Sequence, residues 1–256
     1  MVLRFDFPRK WDELTDAQVR RLAPVAFGRK RLRGRALLLY VVLVLGVSGW
    51  QPWRFLKLMW ILTQVPLSGL QAYVEWAFTA DGLTRFPRKL RAGRRLFYGP
   101  KIRMQDATIA EFSVADAMYY KWIATGDDRY LNMFVAALYR PREAKRRAPF
   151  AKVDLSERAE RMEKVALNKK LAVALAFAGT RQYIEKRYTL IFPKRKKTVS
   201  SAGYVPFDAI VRSMAMSERK PLGDYYRAAS ANLYDFLALF QDEIKYQKEL
   251  EKKLAK

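Results

Sequence analysis

The chain has 256 residues, of which 51% are hydrophobic, and its 49 Lys and Arg against 25 Asp and Glu give a net charge of +24. It contains neither Cys nor His, which excludes disulfides, the usual zinc, haem and iron–sulfur ligands, the thiolate nucleophile and the imidazole base. Such a cationic excess repels itself and is relieved by an anionic partner: nucleic acid, an anionic membrane or an acidic protein. The bland alternative is a proteome that favours arginine. With only 12 Gly and 11 Pro among abundant Leu, Ala, Lys, Arg and Glu, the composition favours helix.

The first residues alternate, and Phe5 and Phe7 suit a short strand or an extended arm ended by Pro8. Their charges do not fit a secretory leader, so the product reads as cytoplasmic. Thr15 and Gln18 have the spacing of a capping box and predict a helix over 16–25, disturbed at its end by Pro24. GRKRLRGR follows at 28–35, and from Ala17 to Val74 there are nine Lys and Arg and no acid. Helices are predicted over 36–50, over 53–64 with Pro52 at the first turn, and from Pro66 to about Phe78. The apolar runs Ala36–Trp50 and Leu58–Val74 fall short of the roughly 20 residues that span a bilayer, so they read as core. A membrane hairpin is the alternative, because basic segments flank the runs and Trp50, Trp53 and Trp76 suit interfaces.

Residues 82–105 form a basic connector with eight Lys and Arg and no acid, in which LTRF and RRLFY could pair as a hairpin. Thr108 and Glu111 form a second capping box, opening a helix to about Ala124 that Gly126 ends. A helix over 130–139 stops before Pro141, with Phe134, Val135 and Leu138 inside, and RPREAKRRAP makes a basic loop. Asp154 or Ser156 opens a long helix to about Ala178, apolar all round at LAVALAFA, with Gly179 as a break before another helix over 181–190. Pro193 and KRKK form a further loop. Leu222-Gly223-Asp224 starts a last helix running to the end and spanning on the order of 45 Å. Its apolar stripe fades after Ile244, leaving Leu250 and Leu254 four apart among Lys and Glu.

No phosphate-binding glycine loop is present, and no cofactor is implied. Glu111 and Asp116 lie five apart and share a helix face poorly, and a cap accounts for one of Asp127 and Asp128. No catalytic or metal site is therefore expected, and the chain reads as non-enzymatic.

The order of PRKWDELTDAQ, LFYGPKIRMQDATIAEFSVADAMYYKW, LNMFVAALYRP, a basic loop with APF, and FAGTRQYIEKRYTLIF resembles an uncharacterised family encoded in the tail regions of bacteriophages, prophages and phage-tail-like clusters. The resemblance covers about residues 5–193. It implies an assembly or accessory protein, tail-assembly-chaperone-like, in the host cytoplasm or on the particle. It carries no catalytic residues, and this chain is more basic and more apolar in its first third than the family.

The sequence thus predicts a mostly α protein: a helical body over 1–220, a protruding C-terminal helix over 221–256, and at most one short β-hairpin. Its expected partner is another protein of the tail or particle, an acidic one being favoured by charge. Nucleic acid is an alternative, and a membrane is disfavoured. Candidate contact residues are Leu250 and Leu254, then Arg85, Arg88, Lys89, Arg91, Arg94 and Arg95 of the connector, and Arg140, Arg142, Arg146 and Arg147 of the basic loop.

Overall fold

A computed structural model describes residues 7–47, 52–80, 82–143, 146–150, 154–193, 207–216 and 222–254. The expected arm at Phe5 and the KRKK loop lie outside them. The protein is mostly α and divides into two compact units, residues 1–87 with 166–180, and residues 88–165 with 181–256.

In the first unit a single 3-10 turn, Trp11–Glu13, buries Trp11, which donates its indole N–H to the Thr79 carbonyl at 3.1 Å. Helix α1 (Asp16–Ala26) begins with the expected capping box between Thr15 and Gln18. Gln18 does more than cap. Its amide Nε2 donates to the carbonyls of Val44 and Leu45 at 3.0 and 3.1 Å, supplying partners for the open end of α2 (Gly34–Gly46). One buried side chain thus closes two helix ends. In α2 the residues Val41, Val42, Val44 and Leu45 are buried, as a core helix requires. Helix α3 (Pro52–Gln64) departs from that expectation, because Leu58 is its one buried residue.

The helix expected from Pro66 to Phe78 is three short pieces. A 3-10 turn (Leu67–Leu70), α4 (Gln71–Val74) and another 3-10 turn (Glu75–Phe78) follow one another. Gly69 weakens continuous helix here. Tertiary contacts set the path: Trp76 meets Trp11 edge to face at 5.5 Å between ring centroids.

The second unit begins with the hairpin β1 (Lys89–Ala92) and β2 (Arg95–Tyr98), paired so that Ala92 faces Arg95. LTRF is therefore not the partner of RRLFY. Gly93, at φ 59°, takes the first central position of the two-residue turn, which is the glycine position of a type II′ hairpin. Leu83, Thr84 and Phe86 are instead buried in the first unit, where the Thr84 amide donates to Asp12 Oδ1 at 3.1 Å.

Helix α5 (Ile109–Thr125) ends at Gly126 with φ 70°, and α6 (Asp128–Leu138) is capped by Asp127. Phe134, Val135 and Leu138 are fully buried, as expected. A two-residue pair, β3 (Arg142–Glu143) with β4 (Arg146–Arg147), follows.

The long helix expected to Ala178 is broken at 164–166 into α7 (Leu155–Glu163) and α8 (Leu167–Arg187). The chain turns there through the bond from the Val165 amide to the Met162 carbonyl, at 3.0 Å, and Val165 is buried. Gly179 does not break α8. It allows a close approach instead: a Cβ there would lie 2.2 Å from the Leu83 carbonyl oxygen. Leu171 to Phe177 are wholly buried, as the all-round apolar run predicts.

Helix α9 (Phe207–Met216) sets Phe207 edge-on to Phe112 at 5.0 Å. The last helix is also two, α10 (Tyr225–Ser230) and α11 (Leu233–Leu254). Between them the backbone pairs elsewhere. The Ile109 amide donates to the Ala231 carbonyl and the Leu233 amide to the Ala107 carbonyl, each at 3.0 Å. The Asn232 side chain donates to the Gln105 carbonyl and accepts from the Tyr234 amide, both at 2.9 Å. A continuous helix could not offer those groups.

Gly179→Ala separates the two roles of that glycine. Helix propensity alone would make the change stabilising. Contact with the Leu83 backbone should instead lower the melting temperature, at a cost of about 1–3 kcal/mol as in other overpacked cores, measured by thermal denaturation.

Candidate functional site: a basic cleft over a buried carboxylate

Glu111 sits at the third position of α5, where the Thr108 hydroxyl accepts its amide at 3.2 Å. In a full box its carboxylate would turn back to the Thr108 amide. Here only the Thr108 half forms. The Glu111 side chain is wholly buried and receives two guanidinium groups. Arg140 Nη2 donates to Oε2 at 2.7 Å. Arg147 donates through Nη1 to Oε1 and through Nη2 to Oε2, the latter at 3.2 Å, a bidentate fork.

Local structure delivers both arginines. Pro141 stops α6 at Leu138, and the chain leaves in extended form. Arg140 then pairs its backbone with Tyr98, N–H to carbonyl at 2.8 and 3.2 Å in the two directions. The β3–β4 turn brings Arg147 back opposite Arg142. Arg147 Nη1 also donates to the Leu138 carbonyl at 2.8 Å, satisfying the end of α6. Asp106 Oδ1 lies 3.5 Å from Arg147 Nη2 and accepts the Lys101 amide at 2.7 Å. The loop so held carries two non-glycine residues in the left-handed region, Arg103 at φ 55° and Met104 at φ 58°. Such a conformation persists where its surroundings over-determine it. Here the Tyr234 hydroxyl holds the Arg103 carbonyl, and Asn232 holds that of Gln105.

Burial raises the Glu111 pKa above its ordinary value, against the pull of Arg147 and Arg140. Burial likewise lowers that of Arg140 to about 10, with Glu111 opposing it. Both partners therefore record a desolvation cost that pairing only partly offsets. At neutral pH the arginine stays charged.

These groups form one wall of a cleft of about 970 Å³. Among the described residues, Arg88, Lys101, Arg140, Arg142 and Arg147 line it against a single carboxylate, Asp106. Thr108 and Ala110 place the N-terminal end of α5 on the same wall, adding the positive pole of its dipole. Tyr98, Phe150 and Tyr226 supply rings. The Arg142 guanidinium lies 5.4 Å from the Tyr98 ring centre, and that of Arg140 lies 5.7 Å from Phe150. Arg140 and Arg147 each keep a buried Nε–H with no hydrogen-bond partner among the described residues. A wall with excess positive charge suits an anion.

The structure sorts the candidate residues. Arg88, Arg140, Arg142 and Arg147 meet at this cleft. Arg140 and Arg147 are not free surface cations, as the basic-loop reading has it, but are nearly buried on Glu111. The side chain of Arg146 lies outside the description. Arg85 belongs to the first unit, where it bonds the Leu14 carbonyl and lies 3.5 Å from Asp16. Arg91, Arg94 and Arg95 are exposed on the β1–β2 hairpin, and Lys89 lies 5.5 Å from the Tyr98 ring centre. Leu250 and Leu254 are 40% and 80% exposed on α11, which has no buried residue beyond Glu243. Sequence reasoning missed Glu111 as an ion-pair partner, because its spacing after Thr108 is explained by capping. It also missed Lys101 and Phe150.

Among the described residues no group of three or more acidic side chains could hold a metal ion, and no helix is long and apolar enough to cross a membrane. The chain matches no family profile, no curated protein and no solved structure.

Glu111→Gln leaves two buried guanidinium groups facing a neutral amide. It should cost about 3–5 kcal/mol, the range for breaking a buried ion pair from one side. Replacing Glu111, Arg140 and Arg147 together by Met should melt closer to the parent than Glu111→Gln does. If the single change left the melting temperature untouched, the cluster would not be buried as described.

Proposed function

We propose that the chain is a non-enzymatic accessory protein of a phage tail or phage-tail-like particle, and that its basic cleft takes an acidic segment of a partner protein. The observation that carries this reading is the cleft itself, whose wall holds five cations against one carboxylate among the described residues. Glu111 holds two of the guanidinium groups in place before any ligand arrives, which reduces the ordering cost of binding. The similarity to tail-region proteins supplies the assembly context. A second reading, single-stranded nucleic acid, is favoured by Tyr98, Phe150 and Tyr226, since rings among cations can stack bases along a phosphate backbone.

Fluorescence anisotropy with a labelled polyglutamate peptide and a labelled oligothymidylate tests both. The peptide should bind and weaken as salt rises. Lys101→Ala with Arg142→Ala should cost about tenfold or more, since a hydrogen bond to a charged group is worth roughly 1.5–3 kcal/mol. Arg91→Ala with Arg94→Ala, on the hairpin, should change little. Tighter binding of oligothymidylate than of peptide, lost in the cleft variant, would favour the nucleic-acid reading. Binding of neither would reject the cleft as the working surface.

The exposed end of α11 is the second contact in this proposal. Burying a leucine is worth only about 1.5–3 kcal/mol, so Leu250 and Leu254 suit part of a helix-in-groove or short coiled-coil contact. Removing residues 247–256 should shift stability by less than about 1 kcal/mol, because no core is touched. It should also abolish co-purification with a co-expressed particle partner. Full retention of the partner would place the contact elsewhere.

A further inference from the structure

Helix α3 reads PWRFLKLMWILTQ, and of its thirteen residues only Leu58 is buried. Its large side chains stand in water: Trp53 is 82% exposed, Leu56 57%, Trp60 51%, Phe55 44% and Met59 42%. At 3.6 residues per turn, Trp53, Leu56 and Trp60 lie on the side of the helix opposite Leu58, with Met59 on the flank of that face and Phe55 nearer Leu58. An apolar face of that size is uncommon on a monomer's surface and marks a place where something docks.

Charge identifies the occupant. No Asp or Glu occurs between Ala17 and Val74, against nine Lys and Arg. Arg54 and Lys57 lie within α3 itself. Arg9 lines a hollow with Trp60 and Tyr73, and Arg35 lines another with Pro66, Leu67 and Gln71, just past the end of the helix. Tryptophans beside basic residues, on a short helix with an exposed apolar face, are the features of a segment that lies in a bilayer interface. The helix is too short to cross: thirteen residues reach about 20 Å at 1.5 Å each, against a hydrocarbon core of about 30 Å.

We propose that α3 docks flat on an anionic lipid bilayer, with Trp53, Leu56, Met59 and Trp60 entering the boundary between headgroups and acyl chains and the neighbouring Lys and Arg meeting lipid phosphates. Membrane contact is then a property of the first unit, independent of the basic cleft. This is peripheral attachment and not the spanning hairpin that the two apolar runs suggest as an alternative.

Vesicle flotation of the full chain tests it. Vesicles of phosphatidylcholine with about 30% phosphatidylglycerol should carry the protein, and binding should fall with salt, since each Lys or Arg near such a surface contributes about 1 kcal/mol. Vesicles of phosphatidylcholine alone should bind weakly. Trp53→Ser with Trp60→Ser should reduce flotation at least about tenfold, because each lost ring removes apolar area from the interface. Its melting temperature should stay unchanged, since neither ring is in the core. The chain has no cysteine, so Leu56→Cys with a polarity-sensitive dye reports one position. The dye should shift to the blue on anionic vesicles. No flotation, equal flotation of the double variant, or a dye that stays in water on bound vesicles would overturn the proposal. Loss of a co-purifying protein in the double variant without any vesicle binding would overturn it too, and would make the face a protein contact.

Discussion

A single buried carboxylate organises the second unit. Glu111 lies at the start of α5, yet it binds two arginines that flank the end of α6 and the short β3–β4 turn. Its position therefore fixes where the chain goes after Leu138. Arg147 in turn reaches the Leu138 carbonyl and approaches Asp106, which holds the Lys101 amide. The exit from α6 and the buried arginines of the cleft wall are thus tied to one charge, which reaches the loop before α5 through Arg147 and Asp106. Desolvation makes this arrangement costly, as the raised pKa of Glu111 and the lowered pKa of Arg140 record. An apolar cluster of similar volume could stabilise the fold as well or better. What the ionic version supplies is a rigid pair of guanidinium groups at the edge of a cavity.

A second constraint is backbone pairing at a helix break. Ala231 and Leu233 exchange hydrogen bonds with Ile109 and Ala107, and this contact interrupts what would otherwise be one long terminal helix. The same break sets α10 so that Tyr226, Ala229 and Ser230 form another side of the cleft. The geometry of the site thus rests on two contacts between residues more than a hundred positions apart or nearly thirty positions apart, in which neither partner has an unusual local sequence.

That difference explains what the sequence could reveal. Signals carried within a few residues were legible: the Thr15–Gln18 box, Pro52 at a first turn, Gly126 at an α5 terminus, Pro141 after α6, and the all-round burial of Leu171–Phe177. Each acts through local backbone chemistry or periodicity. Gly179 misled because a glycine that ends a helix and a glycine that admits a neighbouring backbone look alike until Leu83 is seen beside it. Glu111 misled because its spacing from Thr108 satisfies a local rule, whereas its partners arrive from 29 and 36 positions away. The hairpin was expected in the right segment with one strand wrong, since Gly93 and Pro87 both punctuate and only pairing chooses between them.

The distribution of charge gives the cationic excess a physical sense. Several acids are committed to internal contacts: Asp12 to Thr84, Asp106 and Glu111 to Arg147, and Asp116 to Arg181. Asp106, Glu111 and Asp116 thereby neutralise buried or half-buried arginines, whereas Asp127 and Asp208 pair with exposed ones. The surplus of 49 bases over 25 acids is not spread evenly. It gathers in two settings of different character. Around α3 it borders exposed tryptophan and leucine, where a broad, soft, low-specificity anionic surface can satisfy it. In the cleft it is fixed by Glu111 and bounded by rings, where a ligand must bring acceptors to defined positions. Within the cleft, Arg140 and Arg147, nearly buried on Glu111, are screened by salt far less than exposed Arg88, Lys101 and Arg142.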